Sequence, residues 1–262
     1  MGLEITRALG VGAIQQNIYV NPKKYITFGN ELTADKFEST SLDRFTSETA
    51  IRKMIQGNPK ITKLVKNFNP EMKLNIKELN ELKKNHLNET LNIVKGITAN
   101  LPFALSSRVD IKELQDAAYL HDIGKVLIPS EILNKPDKLN DLETEIMHKH
   151  SELSYELLKT TNLNDKTLKL IRNHHQNAKK TGYPWVEKDF NADINLQILT
   201  AADKYSALTE KRSYKSELTP KQALTIIYQD VKEGKLHPFV FKALVNYINT
   251  NSVSVKSGEL VS

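Results

Sequence analysis

The sequence predicts an all-α fold, a helical bundle with a poorly defined N-terminal extension. Three observations carry this prediction. Apolar residues recur at three- and four-residue steps through most of the chain after Pro70. Helix starts with capping residues are legible in several places, and no stretch from Ile76 to Ile248 reads as a paired strand. With 262 residues and 39% hydrophobic content, the chain is long enough for one good-sized core and a smaller appendage.

Residues 1–47 mix glycines, short β-favouring pieces such as Asn17-Ile18-Tyr19-Val20 and polar stretches such as Glu38-Ser39-Thr40-Ser41. They lack sustained periodicity, so a partly irregular extension is expected there. Residues 48–75 read as a helical lead-in: Ile51, Met54, Ile55, Ile61, Leu64 and Val65 permit two short helices broken near Gly57-Asn58-Pro59. The main helical domain is expected over residues 76–250, followed by a tail over 251–262. Within it, Asn140 with Glu143, and Thr219 with Pro220 and Gln222, have the form of capped helix starts. Asn134-Lys135-Pro136-Asp137 reads as a turn.

Composition narrows the function. With no cysteine, thiolate nucleophiles, disulfides and Cys-type zinc sites are excluded, so any metal must be held by His and carboxylate. No apolar run approaches the roughly 18 residues of a membrane span, and no secretory signal is legible, so a cytoplasmic location without membrane contact is expected. Met1-Gly2-Leu3-Glu4-Ile5-Thr6 fits the myristoylation pattern formally, but the pattern is short enough to arise by chance. The net charge of +6 comes from 37 basic residues scattered among 31 acidic ones. That pattern describes a solvated surface with some pull on phosphates rather than a nucleic-acid interface.

The informative residues are polar ones on apolar stripes. His86 shares a stripe with Thr90, Ile93, Ile97 and Leu101, and His121 shares one with Ile111, Leu114 and Ala118. His150 follows Ile146 and precedes Leu153 and Leu157; His174 and His175 follow Leu168 and Ile171; Asp203 follows Leu196 and Leu199 and precedes Ala207. One histidine on an apolar face is usually a hydrogen-bonded core residue. Five of the seven histidines, together with Asp122 and Asp203, are too many unpaired polar groups to bury separately. Converging stripes would satisfy them all with a shared cation. In His121-Asp122 the carboxylate can bridge two cations while the imidazole binds one, and the nitrogen-and-oxygen donor set suits iron, manganese, zinc or nickel. Two such ions about 3.5–4 Å apart would clamp a phosphate and activate a water, which is hydrolytic chemistry.

These residues resemble the HD-GYP subgroup of HD-domain phosphohydrolases. His121-Asp122-Ile123-Gly124-Lys125 is similar to its HDxGK signature, followed by Ile128-Pro129 and Ile132-Leu133-Asn134-Lys135-Pro136. His150-Ser151-Glu152 resembles the next segment, and His174-His175 followed by Gly182-Tyr183-Pro184 resembles the element that gives the subgroup its name. Ala202-Asp203-Lys204-Tyr205-Ser206-Ala207-Leu208, with Arg212 and Tyr214, is similar to its last motif. The likeness runs from about Ile76 to Ile248. It departs from the family pattern at Gln176, where a carboxylate is usual, and at Lys179-Lys180-Thr181. A lost carboxylate would weaken metal orientation, whereas the two lysines would favour a phosphate-rich ligand.

The resemblance implies two divalent ions, one held by His121, Asp122 and Asp203 and the other by Asp122, His150, His174 and His175. His86, 35 residues before His121, and Glu89, 32 before, compete to complete the first site. Asp122 and Lys125 are the expected catalytic residues, with Lys125 neutralising a phosphate oxygen. Lys125, Lys179, Gly182, Tyr183, Pro184, Arg212 and Tyr214 are the expected substrate contacts. The implied function is metal-dependent hydrolysis of a cyclic dinucleotide, foremost cyclic di-GMP, to linear pGpG or GMP through a metal-activated water, in a bacterial signalling setting. Two alternatives stand beside it: a module that binds a cyclic dinucleotide or protein without turnover, and a hydrolase of another nucleotide. A diguanylate cyclase domain and a second copy of the chain are the expected protein partners.

Overall fold

The computed structural model describes residues 41–210 and 217–258, which among themselves contain helices and no strand. The lead-in forms two helices, α1 (Glu48–Gln56) and α2 (Pro59–Val65). The break between them has a local cause: the Asn58 side chain caps the Lys60 amide, and Pro59 supplies the first helical residue. Asn58 also donates to the backbone carbonyl and carboxylate of buried Glu156, which tie the lead-in to a later helix.

The bundle begins with α3 (Ile76–Leu82), which runs through a π-helical turn (Lys83–Leu87) into α4 (Asn88–Ala99). After the short α5 (Phe103–Ser106) come α6 (Ile111–Leu120), a 3-10 turn (Ile123–Leu127) and the short α7 (Ser130–Leu133). The long helices α8 (Asp141–Leu158), α9 (Asp165–Asn173), α10 (Ile194–Thr209), α11 (Pro220–Lys232) and α12 (Pro238–Gly258) complete it. Asn140–Glu143 and Thr219–Gln222 form reciprocal capping boxes at the starts of α8 and α11, as their sequences predict.

Helix α4 packs on α10, α12 and α6, while α9 bridges α6 and α8, and the 3-10 turn lies on α8. That turn is also held from the lead-in side, where Asn75 donates to Ile128 and Asn69 to Leu127. Leu114, Ala118, Ile93, Ile97, Leu153, Leu157, Ile171 and Leu199 form the core on the predicted faces. Ile111 does not join its stripe: it is the first residue of α6 and is 53% exposed, and the buried face of the helix begins at Leu114. The expectations for residues 1–40, including the myristoylation pattern, lie outside the described residues.

Candidate metal centre

Six helical segments deliver side chains to one point. His121 caps the C-terminus of α6, and Asp122 opens the 3-10 turn. His150 projects from the middle of α8, His174 and His175 follow α9, and Asp203 projects from α10. His86 comes from the π-helical turn. Two sets of ligand-type atoms result: His86, His121, Asp122 and Asp203, and Asp122, His150, His174 and His175. Within each set the atoms lie within 4.8 Å of one another. Asp122 belongs to both. Glu89 belongs to neither; it lines a cavity on the outer side of His86. A π-helical turn carries one residue more than an α turn, and here it leaves His86 on the buried side.

Local hydrogen bonds orient the imidazoles. The Nδ1–H groups of His121, His150 and His174 donate to the carbonyls three residues earlier, Ala118, Met147 and Ile171, at 2.9, 2.6 and 2.7 Å. With the proton held on Nδ1, each Nε2 lone pair points into the cluster. The Nε2 atom of His150 lies 3.3 Å from that of His174 and 3.0 Å from that of His175, and 3.2 Å from Asp122 Oδ1. Converging lone pairs of this kind repel unless a cation sits among them. His121 Nε2 and Asp122 Oδ1 are buried without any hydrogen-bond partner among the described residues. Buried orphan acceptors aimed into a His and Asp cluster are what a divalent ion satisfies, so the residues fit a two-metal site.

The charges agree. Although burial works against ionisation of Asp122 and Asp203, both carboxyls are held well below the usual range, Asp122 by Lys125 and the surrounding histidines and Asp203 by His121, His86 and His175. Burial lowers His150 to about 3 and His175 to about 4, so both imidazoles are neutral at physiological pH. Lys125 Nζ lies 2.5 Å from Asp122 Oδ2 at the rim of the cluster.

Two motif glycines are there for close approach. A Cβ on Gly124 would overlap the His150 carbonyl and the Ser154 amide, and one on Gly182 would overlap the His175 carbonyl. The Gly182–Pro184 turn is pinned there by Gln176, whose amide donates to the Pro184 carbonyl at 2.6 Å and accepts from Gly182 N–H at 3.2 Å. Gln176 therefore serves the turn and makes no side-chain hydrogen bond to the imidazoles. A carboxylate in its place could not donate to Pro184. Tyr183 stacks on His148, with ring centroids 3.6 Å apart, and leans over His175 at 4.5 Å. His148 escaped the sequence reading because it lies off the apolar stripe of α8.

A cavity of about 600 Å³ opens at the exposed edge of the cluster, where His175 and Asp203 form its wall with Asn177, Gln197, Lys204 and Lys235. A larger one of about 890 Å³, lined by Arg108, Arg172 and Trp185, contains no member of the cluster. Lys179 stands apart from the cluster, against Gly234. Arg212 and Tyr214 lie outside the described residues.

A family model described as "HD domain" matches residues 70–239, which span every member of the cluster. The chain belongs to the HD domain family. Its motifs are of the HD-GYP type. This HD domain is similar to the 3'3'-cGAMP-specific phosphodiesterase 1 of Vibrio cholerae, with 34% identity over 51% of this chain and 32% of that protein. It is also similar to a cyclic di-GMP phosphodiesterase of Thermotoga maritima, with 34% identity over 53% of this chain and 38% of that one. The matched stretch thus spans under two fifths of the length of these two relatives. Among solved structures, Bd1817, a HDG"Y"P protein from Bdellovibrio bacteriovorus, shares the fold with a TM-score of 0.57 at 12% identity, covering 86% of this chain and 75% of that one.

Proposed function

We propose that the chain is a metal-dependent phosphodiesterase that hydrolyses a cyclic dinucleotide, cyclic di-GMP foremost, to linear pGpG or GMP. The observation that carries this reading is the pair of ligand sets joined at Asp122 and open, through His175 and Asp203, to a cavity of about 600 Å³. The named activities of the similar proteins from Vibrio cholerae and Thermotoga maritima support the same substrate class. The catalytic domain is proposed to occupy residues 76–250.

His86, His121 and Asp203 would hold one ion, His150, His174 and His175 the other, and Asp122 both. When bound, such ions polarise a phosphoryl oxygen and make water a nucleophile near neutral pH. His121, His150 and His174 would contribute their Nε2 lone pairs, because their Nδ1 protons are committed to backbone carbonyls. Lys125 sets a positive charge at the rim, where negative charge develops on the phosphoryl oxygens. Tyr183 lies over His148 and His175 and would form the wall on that side of the cluster.

The test is turnover of cyclic di-GMP and 3'3'-cGAMP by protein loaded with manganese or ferrous iron, comparing wild type with His121→Ala/Asp122→Ala. Turnover lost in the double variant is expected. A folded, metal-loaded wild type that turns over neither substrate would overturn the enzyme reading and favour a binding module.

A further inference from the structure

Helix α10 holds the His86 ring by both nitrogens. Asp203 Oδ1 is 3.1 Å from Nε2, while Ser206 Oγ is 3.0 Å from Nδ1 and Glu210 Oε2 lies 3.6 Å from that same Nδ1. Asp203, Ser206 and Glu210 follow one another at steps of three and four, so one face of the helix presents all three. His86 and Ser206 are each 1% exposed, which excludes solvent as an alternative partner for the ring. The contrast with the other histidines is specific. His121, His150 and His174 give their Nδ1 protons to a carbonyl three residues earlier in the chain. For His86, on its π-helical turn, the Nδ1 partner is a side chain 120 residues away.

We propose that Ser206 and Glu210 are positioning residues for His86, holding a proton on Nδ1 so that Nε2, the nitrogen that faces Asp122 and Asp203, is the one that gives its lone pair to an ion bound with those carboxylates. The inference rests on the reading of His86 as a metal ligand. Ser206 accepts the Nδ1–H bond and fixes the plane of the ring. The Glu210 carboxylate beside the same N–H makes the opposite nitrogen a better donor, as acidic partners do for metal-binding histidines generally. Glu210 stands at the C-terminal end of α10, beside a cavity of about 470 Å³ that also meets Ser206 and Glu89. The carboxylate is therefore partly solvated while the nitrogen it influences is buried.

The experiment is titration of the metal-free full chain with Mn²⁺, following free ion by electron paramagnetic resonance, alongside circular dichroism and thermal melting of the metal-free state. His86→Ala identifies the binding step that depends on this ligand. Ser206→Ala is expected to weaken that step by roughly 10- to 100-fold and leave the other unchanged, with Glu210→Gln acting on the same step to a smaller extent. Ser206→Asp, which restores an acceptor, is expected to recover the affinity. If His86→Ala removes a step but Ser206→Ala and Glu210→Gln both bind as wild type, the positioning role is wrong. If His86→Ala itself leaves both steps intact, the reading of His86 as a ligand is what fails. Should Ser206→Ala not fold, Glu210→Gln at the helix end decides alone.

Discussion

The set around His86 and the set around His150 share Asp122 and the same dry core, but the first joins two carboxylates to two imidazoles and the second sets one carboxylate among three. Burial works to lower His86, yet hydrogen bonds to Asp122 and Asp203 overcome it and push the ring up to about 9. In the other set burial prevails, taking His150 to about 3 and His175 to about 4. Both rings that bracket this range, His86 and His150, are almost fully buried. Their protonation thus follows how many carboxylates each can reach. The carboxylate-rich half attracts a proton or a cation, and the imidazole-rich half offers neutral lone pairs.

The comparison breaks most completely at the shared residue. Asp122→Ala should abolish binding of both ions and lower phosphodiesterase turnover by roughly a thousandfold or more, about 4 kcal/mol of barrier, as read by metal analysis and initial rates. Retention of one tightly bound ion would mean that the halves are independent.

Lys125→Ala should lower kcat by about a hundredfold while metal content holds, since its proposed role lies in the transition state. An equal loss of metal would instead make it a support for Asp122.

Gly182→Ala forces a methyl group against the His175 carbonyl and should cost about 1–3 kcal/mol in chemical unfolding. The damage should fall on metal binding by the His150 half, and equal weakening of both halves would show that the turn supports the whole cluster.

The smallest effect, and the one that separates the halves electrostatically, concerns pH in metal-free protein. His86 is raised, so its contribution to stability is complete below an unfolded value of about 6.5 and is lost as pH rises through about 9. His150 and His175 are lowered, so their contribution is complete above about 6.5 and is lost as pH falls toward about 4 and then about 3. Urea unfolding in the presence of chelator should therefore show greatest stability near pH 6.5. His86→Ala should flatten the alkaline side and His175→Ala the acidic side; the same profile in both variants would refute the assignment.

Much of this was legible before folding. Helix periodicity, the two capping boxes and the break at Asn58-Pro59 follow from interactions between residues a few positions apart, which the sequence displays directly. The stripes also named His86, His121, His150, His174, His175 and Asp203 as polar residues on core faces, because helical spacing determines a face, and Asp122 entered as the neighbour of His121. Three matters depended on contacts between distant segments. A π-helical turn, which adds a residue without any marker in composition, brought His86 rather than Glu89 to the cluster. Gln176, read as a missing carboxylate beside the metal, pins the Gly182–Pro184 turn because the Pro184 carbonyl needs a donor. Ser206, an unremarkable small residue in the chain, meets His86 across 120 positions. Local periodicity determined which faces carry the chemistry, and only tertiary packing decided which atoms meet, because a meeting of atoms depends on the relative placement of whole helices.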